Sequence, residues 1–383
     1  LAIGFFGSVR QFPRMALRKH GWWIAGTVLF LVVVAGLLVR LQAIRRDVER
    51  WENYQQECRS RGEDLGIEAW LPPVVADREN FAAHPWIKAM IASEKSPEAK
   101  VVWDWKYWAY DALDGHEEPD NGRSWFEDKP EKAAMVMERG ATLAADLAAI
   151  REAAGRPACR LPLALDRDRD RLSEVLDWLI DMTGIISLRA EAALALNEEA
   201  TAMDSIETLL QIGDHLQSQH FLLSVLVGKR VKAAAVSLIE IGLARGSFSS
   251  ASRLRLRSSL LNPPAGEDIG TIVRLERGMI LEQMGKLLEQ RAPGERFGEG
   301  FMQPPARRTA YSKYTFCKGL DSVLLKPATR ETWESFDQIL EEAVNDLPPG
   351  DLTAGWLLLF ETIYPPFYQH ADRVEDIRKK LAE

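Results

Sequence analysis

The sequence lacks the local signatures that mark many enzymes. It has no Gly-x-Ser-x-Gly elbow, no Gly-x-x-x-x-Gly-Lys-Ser/Thr phosphate loop, no dinucleotide-binding glycine fingerprint and no His-Glu-x-x-His metal pair. Cysteine is scarce: Cys58, Cys159 and Cys317 are the only three in 383 residues. They lie far apart and form no Cys-x-x-Cys pair, which excludes a disulfide framework and a zinc knuckle and points to small buried thiols. Serine and cysteine nucleophiles need no local motif, because their partners can be distant in sequence, but no residue pattern here points to one. Beyond the first 50 residues basic charge is outnumbered, 40 Lys/Arg against 54 Asp/Glu. The first 50 carry eight Lys/Arg against Asp47 and Glu49, a net of +6, so the overall net charge of −8 leaves −14 on the remainder. An acidic body repels phosphate backbones, and nucleic acid is set aside as a partner.

What is present begins with one long apolar run. From Gly21 to Val39 the chain reads GWWIAGTVLFLVVVAGLLV, without a charge. At about 1.5 Å per residue this matches a hydrocarbon core of roughly 30 Å. Trp22 and Trp23 mark one edge, where indoles favour the headgroup layer; Arg18, Lys19 and His20 flank that edge, and Arg40, Arg45 and Arg46 flank the other. A buried core helix rarely carries basic residues at both ends. A cleaved signal peptide would have a shorter apolar core and a small-x-small cleavage site. The run therefore reads as an uncleaved transmembrane helix, with the lipid bilayer as its partner. Met15 would make a natural start, giving a short basic leader, MALRKHGWW. Such a leader resembles a signal anchor and suggests a body outside the cytoplasm, although the basic residues on the two sides are nearly balanced.

Beyond the membrane the pattern predicts a mainly α protein: one N-terminal transmembrane helix plus an irregular α-helical bundle or a short helical-hairpin array. The expected organisation is a basic tail at 1–20, the transmembrane helix at 21–39, a juxtamembrane stalk helix at 40–61, an extended Trp-rich segment at 62–128, a helical hairpin domain at 129–290, and a loop with C-terminal helices packed on the body at 291–383. In the stalk, Leu41, Ile44, Val48, Trp51 and Cys58 fall on one stripe, with Tyr54 or Gln55 between the last two. That stripe suits either self-association as a short coiled coil or packing on the protein's own body, and Gly62 is the expected stop. Leu71-Pro72-Pro73 and His84-Pro85 enforce extended backbone before each proline. Trp103, Trp105 and Tyr107 alternate with polar residues, which suggests a short strand; the aromatic run, continuing through Trp108, Tyr110, Trp125 and Phe126, suits either a small aromatic core or a sugar- or peptide-binding face.

From Pro130 onward helical periodicity is clear. A helix capped by Asp128 runs to Gly155-Arg156-Pro157, with Val136, Leu143, Leu147 and Ile150 at helical steps. A long helix from Leu172 to Leu196 breaks at Asn197-Glu198-Glu199 and returns through Ala200–Gly213. A second, weaker hairpin follows: helix 220–244, a turn at Arg245–Ser249, then Leu254, Leu256 and Leu260. The first pair, LRAEAALALNEEATAMDSIETLLQIGDHL, resembles a tetratricopeptide-type hairpin, with alanines where helices cross. The two turns are 49 residues apart, not the roughly 34 of that family. Asn262-Pro263-Pro264 breaks the array. Helices are expected at about 268–290 and 329–346, with a Gly/Pro-rich loop at 291–310 between them and a short apolar core or docking helix at Trp356–Phe360.

Three clusters invite a site reading. Asp166, Asp168 and Asp170 resemble the start of a calcium loop, but Arg171 stands where glycine is needed, and Arg167, Arg169 and Arg171 cancel the charge. Asp214, His215 and His220 form the best metal or acid–base group, yet residues five apart lie about 500° apart on a helix and do not share a face. His116-Glu117-Glu118 sits in a polar loop. None of these is carried forward: no catalytic, cofactor-binding or metal residues and no cofactor are assigned.

The order of features resembles a group of bacterial single-pass envelope proteins with a helical body. The shared elements are Trp51-Glu52-Asn53-Tyr54 in the stalk, Pro72-Pro73, Asn80-Phe81 through His84-Pro85, and the LRAEAALAL region. The resemblance covers most of the chain and brings no activity with it. Two expectations follow. One is a membrane-anchored helical scaffold or protein-interaction module of the bacterial envelope, because stacked hairpins make extended binding surfaces. The alternative is a membrane-anchored enzyme whose site lies in the helical body. The two differ in whether polar residues such as Arg189, Glu191, Asp214 and His215 converge on one pocket.

Overall fold

The computed structural model describes residues 14–113, 125–126, 129–162, 169–261, 271–272, 274–279, 281–282, 313–314, 317 and 373–382. Within these the protein is mainly helical and has no strand. The chain divides into two compact units, one of residues 1–63 with 287–314, the other of residues 64–286 with 315–383.

The first unit is built on α1, Arg14–Ser60, a single helix of 47 residues. At about 1.5 Å per residue it is about 70 Å long, more than twice a hydrocarbon core. The expected stalk is thus a direct continuation of the apolar segment, and α1 is long and apolar enough to cross a membrane. Its distal stripe is covered: Tyr54 and Cys58 are buried, and Tyr54 stacks on Trp51 and meets Tyr314 edge-on. The helix stops at Gly62, whose φ of 73° is left-handed, and Glu63 N–H donates back to the Cys58 carbonyl at 2.9 Å.

The second unit opens with three 3-10 turns and then α2, Pro85–Ala92, and α3, Pro97–Ala112. Here the strand expected at Trp103–Tyr107 is corrected to helix, and the segment expected to be extended holds both helices. The start signal outweighs the short alternation: Ser96 Oγ accepts the Ala99 N–H at 3.0 Å and Pro97 occupies the first turn. The aromatics then pair at helical spacing, Trp103 on Tyr107 with ring centroids 5.3 Å apart and Trp105 on Trp108 at 5.3 Å. The single helix expected before Gly155 is two, α4 (Pro130–Thr142) and α5 (Ala144–Ala154). Thr142 Oγ1 donates to the Arg139 carbonyl at 2.7 Å, a local bond that competes with helix continuation just before the break at Leu143. Lys129 is the residue preceding α4, and Asp128 lies outside the described residues.

The long hairpin forms as the periodicity predicts: α6, Arg169–Ala195, turns into α7, Glu199–Gln217. Asn197 takes the left-handed conformation that ends α6, and Glu198 N–H reaches the Ala193 carbonyl at 2.8 Å. Ala192 and Ala193 are fully buried, while Ala195 is half-buried. α6 is the hub of the body, packed by α3, α4, α7 and α8. The helix α8, Leu222–Arg245, shares its largest interface with α7. Two glycines set that approach. A Cβ on Gly228 would lie 2.7 Å from the Gly213 carbonyl oxygen and 2.9 Å from Gln217 Cγ. After Gly246, α9 (Ser250–Leu261) is tied to α7 through Arg255–Glu207 at 2.6 Å and Ser249 N–H to Glu199 at 2.7 Å. Leu256 and Leu260 are buried but Leu254 is exposed. A helical stretch at 373–380 also joins the core through Ile377, and Arg378 Nε donates to the Leu260 carbonyl at 2.9 Å. Helical residues occur at 271–272, 274–279 and 281–282, within the helix expected there; the loop and helices expected at 291–310, 329–346 and 356–360 lie outside the described residues.

Replacing Gly228 by alanine inserts a methyl between two backbones that cannot both stay in place. Overpacking of this kind costs about 1–3 kcal/mol. Urea unfolding of the Gly228→Ala protein should give a correspondingly lower midpoint, as should Ala193→Leu. Glu198→Gln in the exposed turn should change stability by less than about 0.5 kcal/mol.

Candidate functional site

The motif from Asn80 to Pro85 is a structural lock. Phe81 N–H donates to the Ala158 carbonyl at 2.8 Å and Ala158 N–H to the Glu79 carbonyl at 3.1 Å, forming a lone parallel bridge. Asn80 satisfies the chain around it: Nδ2 donates to the Arg160 carbonyl at 2.9 Å, and Oδ1 accepts the N–H groups of Arg160 at 2.8 Å and Ala82 at 3.1 Å. Arg156 reaches back to the carbonyls of Asp77 and Asn80, both at 2.9 Å. Gln219 continues the lock from the end of α7, donating to the Cys159 carbonyl at 2.7 Å and accepting the Leu161 N–H at 3.0 Å. Buried backbone groups left without partners would each cost a desolvation penalty of about 1–3 kcal/mol, which explains why amide side chains gather here.

The two histidines buried among the described residues, His84 and His215, belong to this lock. His215 stacks on Phe81 with ring centroids 5.0 Å apart, and its Nε2 lies 2.9 Å from the Ala154 carbonyl. Only a protonated Nε2 can donate to that carbonyl, which selects the tautomer. Burial holds the His215 pKa below the ordinary histidine value, against the smaller opposing effect of the Ala154 bond. His84 caps α2 by accepting the Trp86 N–H on Nδ1 at 3.3 Å, and its Nε2 is 3.7 Å from Glu152. Its pKa is lowered by burial first and by the Arg156 charge second. The Cys159 thiol, fully buried beside them, is pushed up to about 12 and is no nucleophile at neutral pH.

The cluster Asp214, His215 and His220 does not assemble. Asp214 pairs with Lys232 of α8 at 2.8 Å, His215 points into the lock, and His220 sits at φ 60° in the turn before α8. Arg189 turns away from Glu191, donating to Ser205 Oγ at 3.2 Å and lying along Gly140. Among the described residues no three metal-ligating side chains converge. Asp166, Asp168, His116, Glu117 and Glu118 lie outside the described residues, as does the side chain of Asp170.

A cavity of about 410 Å³ opens instead between α3, α6, α7 and α8. Tyr110 of α3 and Leu113, just past its end, form one wall and Trp125 another; α6 contributes Thr183, Gly184, Ser187, Leu188 and Glu191, and α8 contributes Arg230, Val231 and Ala234. Glu191 is buried and accepts the Trp125 N–H, while Arg230 is exposed. Of the four polar residues that the sequence offered for one pocket, Glu191 lines this cavity and Arg189, Asp214 and His215 do not. Thr183, Ser187 and Glu191 stand at steps of four along α6, but the sequence also offers Ser173, Asp177, Asp181 and, two steps further, Arg189 at the same spacing on that helix, so pattern does not single the row out. Sequence reasoning missed the buried charges Lys229, Glu276 and Arg277; Glu276 accepts the Leu222 N–H at 2.9 Å and so caps α8. No periodicity marks that contact, because the two residues are 54 apart. No family model, characterised protein or solved structure matches the chain.

The buried histidines set a pH dependence. Unfolded histidine titrates near about 6.5, and a depressed folded pKa means the unfolded chain binds more protons below that value. The contribution is complete above about pH 6.5 and is lost as pH falls from there toward the depressed folded values. The urea midpoint should therefore drop between pH 7 and pH 5, and the drop should shrink in a His84→Asn, His215→Asn double variant. An equal drop in both proteins would assign the effect to other groups. The depressed carboxyls Glu199 and Asp376 act only at lower pH, below the ordinary carboxylate value.

Proposed function

We propose that the protein is a membrane-anchored helical scaffold that binds protein partners in the bacterial envelope, its body outside the cytoplasm. The observation that carries the anchor is exposure. From Thr27 to Val39 every residue except Val34 is exposed, with Phe30 at 65% and Val39 at 67%. Soluble proteins rarely leave a continuous apolar surface of that size uncovered. Basic residues at both ends of the run suit headgroup layers, and Arg18 and Lys19 ahead of it suit the cytoplasmic side.

The scaffold reading rests on α6, α7 and α8, which stack in sequence around α6, and on exposed apolar residues beside the stack, Leu223 at 43% and Leu254 at 66%. Self-association through the stalk would use its membrane-near turns, where Leu41 is exposed, because Tyr54 and Cys58 are already covered.

The chain should remain in membranes after a carbonate wash. Recovery in the soluble fraction with a new N-terminus after residue 39 would overturn the anchor. A C-terminal alkaline phosphatase fusion should be active and a fluorescent-protein fusion dark if the body is outside. A photo-crosslinking residue placed at Leu254 or Leu223 in intact cells should give discrete protein adducts. Absence of adducts at both positions, with normal expression, would remove the scaffold reading while leaving the anchor in place.

A further inference from the structure

In a body where acids outnumber bases, α9 is an exception. Its sequence, SASRLRLRSSLL, holds three arginines and no acid. Elsewhere in the described body arginines find carboxylates readily: Arg151 pairs with Asp204, Arg171 with Glu174 and Arg373 with Glu240. On α9 Arg255 does the same with Glu207, but the side chains of Arg253 and Arg257 make no ion pair or hydrogen bond among the described residues. The same helix turns Leu254 outward. At about 100° per residue Leu254 lies about 200° from Leu256, which is buried, and Leu254 is 66% exposed. By the same geometry Arg257 and Arg253 stand about 60° and 100° to one side of Leu254, and Arg255 about 100° to the other. A lone exposed leucine is ordinary; one set between arginines, two of them unpaired, is not explained by the packing of α9. The face is also held in place. Leu256 and Leu260 are buried beneath it, Arg255 ties it to α7, and Arg378 Nε donates to the Leu260 carbonyl at 2.9 Å. Little ordering of the helix is left to be done on binding.

We propose that α9 is a docking face of the scaffold and that its partner is an acidic protein segment carrying an apolar side chain. The inference rests on the scaffold reading and adds the partner's chemistry to it. The apolar side chain packs on Leu254. Carboxylates of the segment meet Arg253 and Arg257, whose planar guanidinium groups match carboxylates in paired hydrogen bonds. The net charge of −14 beyond residue 50 disfavours an acidic segment on most of the surface, so the unpaired arginines decide where it lands. Exposed ion pairs contribute little each and one leucine offers a small apolar area, so the complex is exchangeable and salt-sensitive.

A photo-crosslinking residue at Leu254 of the full chain in intact cells tests it, with the attached peptides sequenced by mass spectrometry. Those peptides should carry net negative charge. Adding Arg253→Glu with Arg257→Glu should lower the adduct yield at least about tenfold, while adducts from a probe at Leu223 stay within about twofold. Where the charge reversal reduces the amount of folded protein, Arg253→Gln with Arg257→Gln replaces it and should lower the yield at least about threefold. The purified full chain in uncharged detergent micelles gives a second reading by fluorescence anisotropy. A labelled peptide of four Glu-Glu-Leu repeats should bind at least about fivefold more tightly than one of four Glu-Glu-Ser repeats, and salt at about 0.5 M should weaken it at least about tenfold. Adducts at Leu254 that ignore the arginine substitutions, adducts to phospholipid, attached peptides without net negative charge, or equal binding of the two peptides would overturn the acidic partner. Adducts at Leu223 would still support the scaffold in each of those cases; no adduct at either position removes both readings.

Discussion

The body depends on how closely α7 and α8 approach. At their crossing the Gly213 carbonyl and the Gly228 Cα face each other with no side chain between, and Gln217 closes over the same point. That contact sets where the rest of α8 runs. Three helical turns or fewer from it lie Arg230, Val231 and Ala234, which line the cavity, and Lys232, which pairs with Asp214 across the interface. Packed helices interdigitate at near-crystalline density, so a change of one methyl at such a point is transmitted along both elements rather than absorbed. The cavity therefore owes its width to two residues that do not touch it.

A second constraint joins the beginning of the body to its middle. The segment around Asn80 has only single 3-10 turns on either side, too short to satisfy its backbone, and the loop at 156–161 has no helix. Each supplies the other, with Asn80, Arg156 and Gln219 completing the bonds that a sheet would otherwise provide. The histidines near this lock look like candidates for chemistry in a sequence. In the fold they are a helix cap and a stacking partner whose neutrality burial maintains. The residues that face open space are different ones, and only one of them, Glu191, is a buried acid.

What the sequence by itself determined is what depends on local pattern. The apolar run, its basic flanks, the stalk continuing from it, the stop at Gly62 and the turns at Asn197 and Gly246 follow from composition, periodicity and the few residues that tolerate left-handed backbone. The α6–α7 hairpin and its buried Ala192 and Ala193 belong with them. Where two local signals competed, pattern failed: five alternating residues at Trp103–Tyr107 satisfied a strand and a helix equally, and Ser96 and Pro97 decided for the helix. What only the tertiary structure decided is which polar residues meet. Asn80 and Arg160 are 80 residues apart, Gln219 and Cys159 are 60 apart, and Leu222 finds its cap on Glu276. Neither propensity nor periodicity encodes such pairings, because they arise when independent helices are brought together and each buried polar group must find a partner in whatever surface it meets. The cavity is legible for the same reason only afterwards: Thr183, Ser187 and Glu191 form a polar row in the sequence, but whether a row faces solvent, another helix or an open space is settled by the helices packed around it.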